Sequence, residues 1–147
     1  MTVLLAGPAP REGLPVADHR LLRSRAVKLL RALGLGRREL SIVLLDDRAI
    51  AALNARYRGQ DRPTDVLSFS LLEGENPERS GNLLGDVVVG LEVAARQARR
   101  AHRGLDREIA HLLIHGTLHL LGYDHQSDAE AREMRREERR LWRAIRE

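Results

Sequence analysis

Apolar residues along this chain recur with two periods, close to 3.6 and close to 2, and the alternation between them predicts the order of elements. Residues 3–6 form a short apolar run that suits an edge strand, and a loop containing Pro8, Pro10 and Pro15 follows it. Asp18 is placed to cap a helix whose buried stripe is Leu22, Ala26, Leu29, Leu30 and Leu33, with Gly34 ending it. Leu40 to Leu45 is an unbroken leucine and β-branched run of strand length, as expected of a strand covered on both faces. Asp46 or Asp47 then caps a helix with Ile50, Leu53, Asn54 and Tyr57 at helical spacing, stopped near Gly59.

Pro63 disfavours helix immediately before it, and Val66 to Leu72 reads as a strand with alternating faces. The succession strand, helix, strand favours a parallel pairing of the second and third strands. The segment EGENPERSGN is rich in turn residues and is expected to be exposed and mobile. Leu83 to Val89 predicts a further strand, antiparallel to the preceding one. A charged helix over Glu92 to His102 and an apolar helix beginning near Asp106 come next. The capping box Ser127, Asp128, Ala129, Glu130 opens a last helix with Met134, Leu141, Trp142 and Ile145 as its narrow apolar stripe. Its remaining faces mix Arg and Glu, which fits a solvated surface laced with ion pairs or an arginine surface turned towards RNA.

At 147 residues the chain is expected to form one domain spanning 1–147, large enough for a single core. No apolar run has the length of a membrane span, and MTVLLAGPAPREG lacks a basic stretch ahead of its short apolar run, so no membrane partner and a cytoplasmic location are expected. Cysteine is absent, which excludes disulfides and thiolate metal sites and leaves the histidines as the soft ligands. The formal charge is +4, with 25 basic residues of which only Lys28 is lysine. Arginine forks match phosphate geometry, so a polyanionic partner is expected.

The chemistry concentrates in EIAHLLIHGTLHLLGYDHQSD, residues 108–128, which holds four of the six histidines. His115 and His119 lie one helical turn apart and project from one face. Gly122 suits the left-handed position that ends a helix, so that Tyr123, Asp124 and His125 return towards the last turn. The resulting H-x-x-x-H-x-x-G-x-x-H spacing suits three-nitrogen coordination of one zinc ion with an open position. His111 shares the stripe but lies about 12 Å from His119 along the axis, too far to share an ion with it, and is read as packing or as a support for the ligands. Ile109, Leu112, Leu113, Gly116 and Leu120 define one core face of this helix, and Ile114, Leu118 and Leu121 another, so it is expected to be buried.

Zinc on three neutral imidazoles can lower the pKa of bound water to about 7, so hydrolysis is the expected reaction. Proteases with two helical histidines at this spacing place a glutamate base directly after the first. Gly116 occupies that position here, which disfavours peptide hydrolysis and favours a phosphodiester, whose charge metal and arginine can neutralise and whose RNA form carries an internal 2′-hydroxyl nucleophile. Arg58, at a helix end before a proline-bearing loop, is the arginine best placed by spacing for the phosphate. It is equally well explained as a helix C-terminal cation. Asp124 suits either a carboxylate that orients a ligand imidazole or a turn residue. Asp65 and Ser68, at a strand start, are as readily ordinary turn and strand residues. With aromatics at 3%, contact with nucleic acid is expected to run mostly through phosphate.

LNARYRGQDRPTDVLSF at 53–69, LLGDVVV at 83–89 and HLLIHGTLHLLGYDH at 111–125 together resemble the YbeY endoribonuclease family of bacterial rRNA maturation factors, over about residues 40–145. The resemblance implies an α+β, zincin-like fold, a small mixed sheet with helices packed on it and the histidine helix in the middle. It implies one zinc ion on His115, His119 and His125, with Arg58 as the functional arginine. It further implies metal-dependent cleavage of single-stranded RNA, in maturation of the small-subunit rRNA 3′ end and in ribosome quality control. Ser70 departs from the proline usual after SF, and the first forty residues match only in pattern. Two other readings stay open: a zinc metalloprotease with its base elsewhere, and a non-enzymatic ribosome-assembly protein whose metal is structural.

Overall fold

The computed structural model describes residues 3–70 and 82–147. Among these residues four strands, β1 (Val3–Ala6), β2 (Glu39–Leu45), β3 (Val66–Ser70) and β4 (Leu83–Gly90), form one sheet in the order β1-β2-β4-β3. The described residues also form five helices: α1 (His19–Ala32), α2 (Asp47–Arg58), α3 (Leu91–Arg100), α4 (Leu105–Leu120) and α5 (Asp128–Ile145). This is the α+β arrangement expected, with a mixed sheet and the histidine helix lying across it.

Local signals set the helix boundaries. Asp18 accepts from Leu21 N–H, Asp46 from Ala49 N–H and Ser127 from Glu130 N–H, so three helices begin on a side-chain oxygen that satisfies one of the donors left over at a helix start. Gly59 ends α2 in the left-handed region at φ 70°, a conformation costly for a residue with a Cβ.

The sheet separates two apolar layers. Leu40, Ile42, Leu44, Val87 and Val89 face Leu22, Ala26, Leu29 and Leu30 of α1, Ala94 of α3, Ile109, Leu113 and Ile114 of α4, and Leu141 and Ile145 of α5. On the opposite face Leu67 and Val88 meet Ile50, with Val43, Leu45, Leu53 and Phe69 packed around them. β2 is therefore fully buried on one face and only half-buried on the other, where α2 packs on the sheet.

Two expectations are corrected. β2 and β3 do not pair in parallel: β4 lies between them, parallel to β2 and antiparallel to β3, which leaves β3 as an edge running against the rest of the sheet. The antiparallel pairing of β3 with β4 is as expected. Leu121 does not join an apolar face of α4; it is 36% exposed, because the helix has ended at Leu120 and the chain is already turning. The turn-rich segment 73–82 and the end of the predicted strand beyond Ser70 lie, except for Asn82, outside the described residues. Among the described residues no helix is long and apolar enough to cross a membrane.

Candidate metal and phosphate cleft

α4 rests on β3 and β4 and is flanked by α1, α3 and α5, so its histidine stripe is presented where the sheet's β3 edge ends. Gly116 makes this approach possible. A Cβ there would lie 2.8 Å from Val87 Cγ1 and 2.9 Å from Ser68 Oγ, and its carbonyl accepts a 2.7 Å hydrogen bond from Ser68 Oγ. The position after the first histidine thus faces the sheet, and a glutamate has no space there. Ser68, unassigned between roles from sequence alone, is the residue that locks β3 to the histidine helix.

Gly122 takes φ 94° and the backbone N–H of Tyr123 reaches back to the Leu118 carbonyl, which returns the chain towards α4. The turn brings His125 to the pair on the helix. Ring centroids are 4.6 Å apart for His115 and His119, 5.6 Å for His119 and His125, and 6.1 Å for His115 and His125. His115 Nε2 and His119 Nε2 lie 3.1 Å apart. Two nitrogens bonded tetrahedrally to one zinc ion at roughly 2.1 Å would be separated by about 3.4 Å, so the helical pair fits a shared cation.

His115 Nδ1 is 3.0 Å from Glu138 Oε2 on α5. With Nδ1 donating to that carboxylate, the Nε2 lone pair is left for the cleft. Burial, followed by the neighbouring His115 and His125, holds His119 below the ordinary histidine range and so favours the neutral imidazole that a metal requires. His125 is less constrained, with its side chain 58% exposed. Among the described residues no group of three histidine, aspartate or glutamate side chains is arranged to hold an ion. His115, His119 and His125 are the side chains with the donor chemistry that would hold zinc.

Asp124 does not orient a ligand ring closely. Its Oδ1 accepts from the His125 backbone N–H at 2.7 Å and lies 3.9 Å from His125 Nδ1, so it mainly fixes the turn. Among the described residues the carboxylate in closest contact with an imidazole of the trio is Glu138, which spacing could not single out among the many charges of α5. His111 packs rather than joining the trio. Its ring lies 4.8 Å from that of Trp142, and burial, with Arg103 and Arg107 nearby, lowers its pKa to about 4.

The opposite wall comes from α2 and β3. Arg58, in the last turn of α2, passes around the sheet edge: Nη2 donates to the Ser68 carbonyl at 2.9 Å, Nη1 to the Tyr57 carbonyl at 3.2 Å, and the guanidinium lies 4.8 Å from the Phe69 ring. Asn54, buried in the same helix, donates to the Arg62 carbonyl at 3.0 Å and ties down the loop after Gly59. Arg58, Asp65, Ser68, Ser70, His115 and His119 line one cleft of about 540 Å³. Both oxygens of Asp65 accept hydrogen bonds, from Val66 N–H at 2.7 Å and from Gln97 at 3.2 Å, so this carboxylate holds the strand start. The structure therefore brings Arg58, His115 and His119 into one cleft, with His125 beside His119.

The family model described as Endoribonuclease YbeY matches residues 17–146. An Endoribonuclease YbeY of Anaeromyxobacter sp. (strain Fw109-5) is 52% identical over 144 residues, covering 98% of this chain and 72% of that protein. One from Pelotomaculum thermopropionicum is 46% identical over 142 residues, covering 94% of this chain and 93% of that protein. Among solved structures, the solution structure of TM1509 from Thermotoga maritima has a TM-score of 0.60 at 26% identity and covers 98% of this chain and 91% of its own. With a family match over most of its length and relatives near half identity across nearly all of it, this chain belongs to the endoribonuclease YbeY family.

Proposed function

We propose that this protein is a metal-dependent endoribonuclease that cuts single-stranded RNA, acting in maturation of the small-subunit rRNA 3′ end and in ribosome quality control. One zinc ion is held by His115, His119 and His125, and Arg58 binds the phosphate. The observation that carries the reading is the 3.1 Å approach of two helical imidazole nitrogens facing an arginine across one cleft. When bound, zinc supplies Lewis acidity, lowering the pKa of water and neutralising phosphate charge.

The chain's own residues supply position. The Arg58 fork, already directed to carbonyl oxygens at the β3 edge, exchanges these acceptors for non-bridging phosphate oxygens. Ser68 and Gly116 hold the two walls in register, so that a phosphodiester spanning the cleft meets arginine on one side and imidazoles on the other. A flexible single strand can thread such a cleft more readily than a stiff duplex. Peptide hydrolysis fits less well: an extended peptide would pair with the β3 edge, where Arg58 already covers the Ser68 carbonyl, and Gly116 has no space for a glutamate base.

The test is cleavage of a single-stranded precursor rRNA end by purified protein, with bound metal measured alongside. Wild type is expected to carry about one zinc ion and to cut, and His115→Ala and His125→Ala to lose both metal and cleavage. Full-rate cleavage by a chelated, metal-free preparation would refute the proposal.

A further inference from the structure

Glu138 lies on α5, twenty-three residues beyond His115, and its Oε2 is 3.0 Å from His115 Nδ1. Both side chains are about one-quarter to one-third exposed, at 32% for His115 and 27% for Glu138, so the contact is shielded from much of the solvent that weakens surface ion pairs. Its geometry has one chemical effect. A neutral imidazole that donates its Nδ1–H to a carboxylate presents an unprotonated Nε2, and here that Nε2 is the atom 3.1 Å from His119 Nε2.

We infer that Glu138 is a positioning residue for the proposed metal centre: it fixes the tautomer and ring plane of His115, and it thereby couples docking of α5 to metal affinity. The inference rests on the reading of His115, His119 and His125 as ligands. Asp124, the carboxylate nearest to the trio in sequence, does not take this role, because its oxygen is 2.7 Å from a backbone N–H and 3.9 Å from the ring nitrogen of His125. α5 is well anchored without Glu138, since Met134, Leu141 and Ile145 are buried in the main core. The carboxylate is thus free to act on His115 while the helix is held by apolar contacts.

The experiment measures zinc affinity by competition with a chromophoric chelator, together with thermal melting of the metal-free protein, for wild type, Glu138→Ala and Glu138→Gln. Loss of a carboxylate that supports a ligand histidine lowers metal affinity by roughly 10–100-fold. Glu138→Ala is expected to fall in that range while its metal-free melting temperature stays close to wild type. Glu138→Gln, which keeps an acceptor oxygen but no charge, is expected to recover part of the loss. Zinc affinity within twofold of wild type in Glu138→Ala would overturn the inference and leave the three-histidine site standing. A weakening matched by collapse of the metal-free fold, with no recovery in Glu138→Gln, would also overturn it, by making Glu138 structural. Failure of wild type to bind zinc at all would remove the ligand assignment itself, and this inference with it.

Discussion

Ser68 Oγ donates to the Gly116 carbonyl at 2.7 Å, and the same two residues meet where a Cβ on Gly116 would be 2.9 Å from that oxygen. Two opposing effects follow for Gly116→Ala. Alanine is favoured over glycine inside a helix by about 1 kcal/mol. Overpacking a tight contact typically costs 1–3 kcal/mol, and here both Val87 and Ser68 would have to move with their strands. Packing is expected to win, with a net loss of up to about 2 kcal/mol in urea unfolding. An equal or higher midpoint would show that α4 can lift from the sheet freely.

Arg58→Lys tests the phosphate wall. Lysine keeps the charge but loses the fork that bonds two carbonyls and the flat face beside Phe69. Removal of one preorganised donor typically lowers kcat by about 10²–10³, so kcat/KM on single-stranded RNA should fall within that range while stability changes by less than about 1 kcal/mol. A wild-type rate in this variant would remove Arg58 from the reaction.

Folding stability should depend on pH through His111. Its folded pKa is about 4, below the ordinary value of 6.5, so between those values the unfolded chain binds more protons than the folded one. The contribution of this group is fully present above about pH 6.5 and is lost as pH falls towards 4. His119, also lowered, acts in the same direction. In metal-free protein, His111→Phe should preserve the packing against Trp142 and flatten the acid-side slope without abolishing it. Trp142 is the sole tryptophan, so its fluorescence can follow the transition. An unchanged slope would show that His111 is not the group responsible.

Chelation should stop cleavage without melting the protein. The core around Leu29, Ile42, Leu113 and Leu141 is closed independently of the histidine trio. Metal should therefore raise the melting temperature only by ordinary binding linkage, about 2.7 kcal/mol at a free ion concentration one hundred times Kd. Loss of helical circular dichroism at 25 °C on chelation would instead favour a structural metal and the assembly-protein reading.

Features encoded within a few residues were legible in the chain. Asp18 and Ser127 cap the helices expected of them, Asp46 is the one of the two candidate aspartates that caps α2, α2 stops at Gly59, and Gly122 takes the left-handed conformation its position implied. The approach of His125 to His115 and His119 was legible for the same reason, since one turn decides it. The insertion of β4 between β2 and β3 was not, because partner choice depends on contacts distant in sequence. Glu138 was equally hidden: Glu130, Glu133, Glu137 and Glu138 all sit on a charged helix, and only the docking angle of α5 selects which one reaches an imidazole.

The alternation of β3 assigns its residues to two different environments. Ser68 and Ser70 line the cleft, whereas Leu67 and Phe69 pack in the apolar layer beneath α2, Leu67 also touching the cleft wall. A shift of this edge strand by a single residue against β4 would exchange the two sets, placing leucine and phenylalanine before the imidazoles and burying both hydroxyls in oil. The lining of this cleft is therefore hostage to the phase of one short border strand, and the serine that bolts it to the histidine helix acts as its index pin.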